Sequence, residues 1–260
     1  MSSLAISLRE EKNSELETEM SFGLARSRDD LSQAFRLVFE SYYRAGLSPE
    51  HPSRIRLTPH HLLPTTEVLL GRRGERVTST LTMYGDGYLG LPMQSMYPVE
   101  VGQLRDDGLK LAEIGCLADR RESQSRFIDT FAELGRLLAM VAQSRGIDAI
   151  LAATHPRHAR LYKRIMGFRQ IGELSDCPYA NGNPAVALYL KFDEHRGTPL
   201  YEKYFGNPLP RQELVPYRWD SETRRYFRRV LERDSKISSF AGIQGYYNWA
   251  VVTGSLTPSP

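Results

Sequence analysis

Between residues 109 and 174 the chain alternates strand, helix, strand, helix, strand, and nothing else in the sequence restricts the possible folds as strongly. Leu109 to Ala118 is apolar at almost every position. An extended segment there puts Leu111, Glu113, Gly115 and Leu117 on one face and Ala112, Ile114, Cys116 and Ala118 on the other. With both faces mostly apolar, the strand is expected in the middle of a sheet, covered on each side. Phe127, Phe131, Leu134, Leu138 and Val141 then recur at helical spacing, with Ser123 or Ser125 as cap and an end near Gly146. Ala149 to Thr154 is a second buried strand. Pro156 suits a first helical turn, Leu161, Tyr162, Ile165 and Met166 make an apolar stripe, and Gly167 supplies a left-handed stop before a strand from Phe168 to Gly172.

Upstream, Phe22 to Ala25 reads as a short strand. Asp29 or Asp30 can cap a helix carrying Leu31, Phe35, Val38 and Tyr42 on one side and stopping before Gly46. Residues 49–64 look like a Pro-rich loop. Thr66 to Gly71 and Val77 to Tyr84 form a hairpin about Arg72–Glu75, and residues 85–108 a long connection. A final strand, Ala185 to Phe192, follows the turn at Asn181–Pro184. The expected fold is α/β, a mixed central sheet flanked by helices, antiparallel at the start and with a parallel crossover in the middle. Residues 1–20 are expected to be a flexible tail, 21–194 the main domain, and 195–260 a C-terminal extension packed on it, with a basic helix over Ser221–Arg233.

The chain has 260 residues, of which 41% are hydrophobic, enough for a sizeable core and too apolar for wholesale disorder. Net charge is only +3, although Arg outnumbers Lys 28 to 6. With no recognised reader motif, no nucleic-acid partner is expected. Two cysteines without CxxC spacing fit neither a disulfide scaffold nor a zinc knuckle. Adjacent His60 and His61 lack ligand partners at helical spacing, so no metal is expected. No apolar run reaches the length of a membrane span, and Met1 to Met20 lacks a signal-peptide core, which points to a soluble, cytoplasmic protein.

The order of elements, together with the His-Pro…Leu-Tyr…Gly-Phe pattern of His155–Phe168, resembles the GNAT acyltransferase superfamily. Gly90–Met93, Tyr97, Glu100, Leu104-Arg105 and Glu113–Ala118 narrow the likeness to the N-acyl amino acid synthases of the FeeM type, relatives of the acyl-homoserine-lactone synthases, over roughly residues 22–192. The resemblance implies a GNAT-like fold. It also implies transfer of a fatty acyl group from the phosphopantetheine thioester of an acyl carrier protein to the amine of a small amino acid, with no tightly bound cofactor. Where GNAT enzymes carry a glycine-rich loop for the pyrophosphate of coenzyme A, residues 119–126 here have no glycine. That favours a carrier-protein donor, which presents a single phosphate. An acyl-CoA or acetyl-CoA N-acetyltransferase, or a non-catalytic acyl-carrier-binding module, are the alternatives.

An amine must lose its proton before it attacks a thioester. Glu113, in an apolar strand face with Gly115 next along, is the first candidate base, since desolvation raises a carboxyl pKa toward a useful value; a structural carboxylate paired with arginine is the competing account. Tyr162 is the candidate acid for the departing thiolate, and it equally belongs to its helix's apolar stripe. His155 is the alternative base or a helix cap. The backbone of Cys116, Leu117 and Ala118 can pair with the pantetheine amides as an added strand. Arg120, Arg121 and Arg126, before the long helix, can hold the phosphate. Arg157, Arg160, Lys163 and Arg164 offer a basic face to an acidic carrier, or an ordinary solvated surface.

Overall fold

The alternating segments assemble into one seven-stranded sheet in a computed structural model that describes residues 19–120 and 124–237, with only the backbone for 124–126 and 235–237. The strands are β1 (Met20–Leu24), β2 (Thr66–Arg73), β3 (Arg76–Gly85), β4 (Leu111–Asp119), β5 (Ala149–Thr154), β6 (Arg169–Cys177) and β7 (Asn183–Lys191). Their order is β1-β2-β3-β4-β5-β7-β6. Every neighbouring pair is antiparallel except β4 and β5, which run parallel. That pair is the expected crossover, bridged by α3 (Gln124–Ser144). The expected tail lies outside the described residues apart from Glu19 and Met20, which begins β1.

On one face of the sheet lie α1 (Arg28–Arg44) and the short α2 (Pro98–Asp106); on the other lie α3, α4 (Pro156–Leu161) and α5 (Pro199–Phe205). Leu31, Phe35 and Val38 of α1 pack with Val68 and Leu70, while Phe131, Leu134 and Leu138 of α3 pack with Leu69, Ile114 and Ile150. Consecutive strand residues thus feed opposite layers. α6 (Ser221–Ile237) buries Phe227, Val230 and Leu231 on the α1 side, where Phe227 meets Phe35 with ring centroids 5.2 Å apart. On the other side Arg145 ties Glu67 (2.7 Å) to the carbonyl of Leu214 (2.7 Å).

Several local expectations are corrected. The cap of α1 is Ser27, whose Oγ accepts from the Asp30 amide at 3.1 Å; Asp29 and Asp30 fall inside the first turn, where their charge suits the positive helix end. The 85–108 connection contains α2 and a 3-10 turn at Pro92–Ser95. Residues 59–62 of the Pro-rich loop wind into another such turn. The helix begun at Pro156 changes to a π turn over Tyr162–Met166 before Gly167, at φ 78°, ends it. β6 is longer than expected and runs on to Cys177.

The correction that matters most lies inside β4. Thr82 faces Gly115 and Thr80 faces Ala118, so two residues, Cys116 and Leu117, oppose the single Leu81. Cys116 sits at φ 51° in this bulge. The extra residue reverses the alternation: Cys116 and Ala118 pack toward α1 with Tyr84, on Glu113's side, whereas Leu117 joins Ala112 and Ile114 toward α3. The uninterrupted alternation expected from the sequence holds only as far as Gly115.

Candidate active site

β4 and β5 pair only from Leu111–Ile114 against Ala149–Ala152. Past those four pairs the two strands part, and β5 continues along β7 alone. Among the described residues the β4 edge from Gly115 to Ala118 has no ladder partner on that side, and a cavity of about 360 Å³ occupies the parting. Gly115, Leu117, Ala118, Thr154, His155 and Tyr162 line it from the strands and α4; Tyr42, Arg44 and Leu47 line it from the end of α1, and Cys177, Ala180 and Asn183 from the β6–β7 turn.

Glu113 is 5% exposed, stands opposite Tyr84 in the β3–β4 ladder, and accepts the Met93 amide at 2.7 Å. Pro92 opens the turn that presents this amide. Burial pushes the Glu113 carboxyl up to about 8, with the Met93 hydrogen bond pulling the other way. It forms no ion pair with arginine among the described residues. Its side chain is not part of the cavity wall; it lies one step behind, two residues before Gly115 and within electrostatic reach of Cys177, both wall residues.

Tyr162 comes to the cavity from the opposite face, at the first residue of the π turn, its ring between Phe131 (5.0 Å) and Phe168 (5.6 Å). Its hydroxyl bonds the Thr154 side chain, and burial holds its pKa far above the usual tyrosine value. Packing and access to the cavity therefore coexist in one residue. His155 caps α4 by accepting the Arg157 amide on Nδ1 at 3.2 Å, and also borders the cavity.

Cys116 turns its thiol toward Tyr84. It lies 3.2 Å from the Tyr84 hydroxyl, which is 3.1 Å from Nε2 of His61, and burial raises its thiol above the ordinary range. Such a thiol is a poor nucleophile. His60 and His61 are both buried, their pKa values lowered by burial to about 4 and about 3. Arg120 turns to the carbonyl of Val77 (3.3 Å) and to Glu40 of α1 (3.8 Å). Arg121 and the side chain of Arg126 lie outside the described residues. Arg157, Arg160, Lys163 and Arg164 are all exposed on α4 and its continuation. Among the described residues no helix is long and apolar enough to cross a membrane.

Two residues of this region escape a reading of the sequence. Tyr42 ends the apolar stripe of α1 and faces the cavity; Arg56 sits in the Pro-rich loop and stacks on Tyr42, 4.9 Å from its ring centroid. An aromatic with a hydroxyl at the last turn of a helix is the one hint for the first. The loop sequence carries no signal for the second.

Comparison with known proteins bears on the family and the fold. A family model described as "N-acyl amino acid synthase FeeM" matches residues 33–191. The solved structure of FeeM, an N-acyl amino acid synthase from uncultured soil microbes, is similar at 26% identity and a TM-score of 0.62, over 71% of this chain and 96% of that one. The acyl-homoserine-lactone synthase LasI superposes with a TM-score of 0.54 at 15% identity, over 74% and 96% of the two chains. MesI, a CoA-dependent acyl-homoserine lactone synthase, gives 0.52 at 16%, over 73% and 97%. The last two speak for the fold. A search of curated proteins gave no match.

Proposed function

Because the chain belongs to the N-acyl amino acid synthase FeeM family and is an acyltransferase, we propose that it moves a fatty acyl group from an acyl carrier protein thioester to the amine of an amino acid. The observation that carries this reading is the parted sheet, with a buried carboxyl on one side of the gap and a tyrosine hydroxyl on the other.

The pantetheine arm enters between β4 and β5 and pairs with the free main-chain edge of Gly115–Ala118, whose amides also polarise the thioester carbonyl. The amine nitrogen attacks the carbonyl carbon and its proton is relayed by a cavity water to Glu113, which stands one step behind the wall and must be ionised to take it. With a pKa near 8, that requirement makes the rate climb with pH through the same range. The carbon–sulfur bond then breaks, and the Tyr162 hydroxyl hydrogen-bonds or protonates the thiolate. Arg121 and Arg126 serve the single phosphate, joined by Arg120 when it exchanges its long contact with Glu40 for the phosphate, and the exposed basic residues of α4 suit an acidic carrier.

Side-by-side turnover of lauroyl-acyl carrier protein and lauroyl-CoA, with the products identified by mass spectrometry, tests both halves. Transfer to an amino acid from the carrier protein at the higher kcat/KM is expected. Equal or better use of the CoA thioester overturns the donor assignment, and absence of any N-acyl amino acid overturns the acceptor.

A further inference from the structure

Arg56 is 6% exposed, yet no carboxylate among the described residues forms an ion pair with it. Of its five N–H donors, one reaches Ser48 Oγ at 3.1 Å and one the carbonyl of Tyr179, and the guanidinium also hydrogen-bonds the Cys116 thiol; Nε–H is buried with no partner among the described residues. A guanidinium shut away from water without a counter-ion is a costly arrangement, and the cost is relieved when an anion arrives. Glu113 is no counter-ion, since near neutral pH it is mostly protonated.

What adjoins this cation is the candidate active site. Its Cζ lies over the Tyr42 ring, and Tyr179, whose carbonyl it holds, immediately precedes Ala180 of the cavity wall. The Tyr42 hydroxyl is within electrostatic reach of Cys116, Arg56, Tyr162 and Cys177, which sets it between the acid candidate and the buried cation. It has no hydrogen-bond partner among the described residues. Tyr42 thus lines the cavity on the α1 side, opposite the side on which Leu117 and Tyr162 pack toward α3 and α4, and Arg56 stands immediately behind that wall, against the Tyr42 ring.

We propose that Arg56, with the Tyr42 hydroxyl, holds the carboxylate of the acceptor amino acid at the inner end of the cavity, so that its amine points at the parted edge of β4. This rests on amino-acid acylation as the reaction. A guanidinium fork matches a carboxylate plane, and a buried one discriminates sharply against an uncharged carboxamide of the same shape.

The test compares acids with amides. The wild-type chain is supplied with lauroyl-acyl carrier protein and each of the standard amino acids; the best acceptor is then compared with its primary amide. A kcat/KM ratio of acid to amide of about 10²-fold or more is expected. In Arg56→Met that ratio collapses toward unity, and in Tyr42→Phe it falls by about tenfold, the loss of one hydrogen bond to a charged group. A wild-type ratio near one, or an Arg56→Met enzyme that keeps the wild-type ratio, overturns the assignment while leaving amino-acid acylation standing. If Arg56→Met does not fold, the wild-type ratio and Tyr42→Phe decide. If no amino acid is acylated, the proposed function fails and this inference with it.

Discussion

Replacing Glu113 with glutamine separates what the carboxyl does for the fold from what it does for the reaction. In the folded chain it titrates near 8 because burial disfavours the ion; unfolded, it returns to about 4.5. Between those values the native state holds a proton that the unfolded state has released, so stability falls as pH rises. At 1.36 kcal/mol per unit the penalty is about 3 kcal/mol at pH 7 and approaches about 5 kcal/mol above pH 8. Glutamine cannot ionise, and its amide oxygen still accepts the Met93 N–H. Glu113→Gln is therefore expected to be more stable than wild type at pH 8, with the advantage shrinking to about 1 kcal/mol at pH 5. The same change removes the base, and turnover drops by about 10²- to 10⁴-fold. Urea denaturation of both proteins at pH 5 and pH 8, beside turnover assays, measures the two effects. A stability difference that does not vary with pH refutes the buried, elevated carboxyl. Wild-type turnover in the variant refutes the base.

Tyr162→Phe preserves the ring packed between Phe131 and Phe168 and is expected to cut kcat by about 10²-fold with little change in Tm; an unchanged kcat would leave the residue a packing role only. Cys116→Ser should remain active, and intact-mass analysis during turnover should find no acylated wild-type enzyme; a trapped adduct on Cys116 would reverse that view. His60 and His61 stay neutral when folded, so below pH 6.5 the unfolded chain binds protons they cannot, and stability is lost as pH falls. About 2 kcal/mol per ring should disappear between pH 7 and pH 5, and His61→Gln should flatten that slope; a slope the substitution leaves alone contradicts the burial. Gly167→Ala places a Cβ against Leu200 Cδ2 at φ 78°, and a loss of about 2 kcal/mol should lower Tm by about 4–8 °C. A Tm equal to wild type would mean that α5 yields freely.

How far the sequence discloses this structure depends on whether a contrast between apolar and polar residues marks the feature. Ala149–Thr154 is legible to the residue because a continuous apolar run stands between Asp148 and Pro156. The family likeness drawn from Gly90–Met93, Tyr97 and Glu113–Ala118 agrees with the match over residues 33–191. α2 is hidden because its nine residues bury little beyond Val101 and carry Gly102 in mid-helix, so no stripe marks them. The bulge in β4 is hidden for the opposite reason: apolar residues flank Gly115 on both faces, and a reversal of alternation among them leaves the pattern unchanged. Glu113 stands out as one acid in an apolar run. Arg56 does not, because its distinguishing property is burial without a counter-ion, which exists only once Ser48, Tyr42 and Tyr179 have closed around it.

The left-handed residue at position 116 also bears on redesign. If the donor is gripped by main-chain groups of 115–118, side-chain exchange along β4 cannot retune which thioester is accepted, since every variant offers the same amides and carbonyls. Libraries aimed at new products should leave that stretch alone and sample the end of α1 and residues 177–185, where cargo shape is read by atoms that mutation can change.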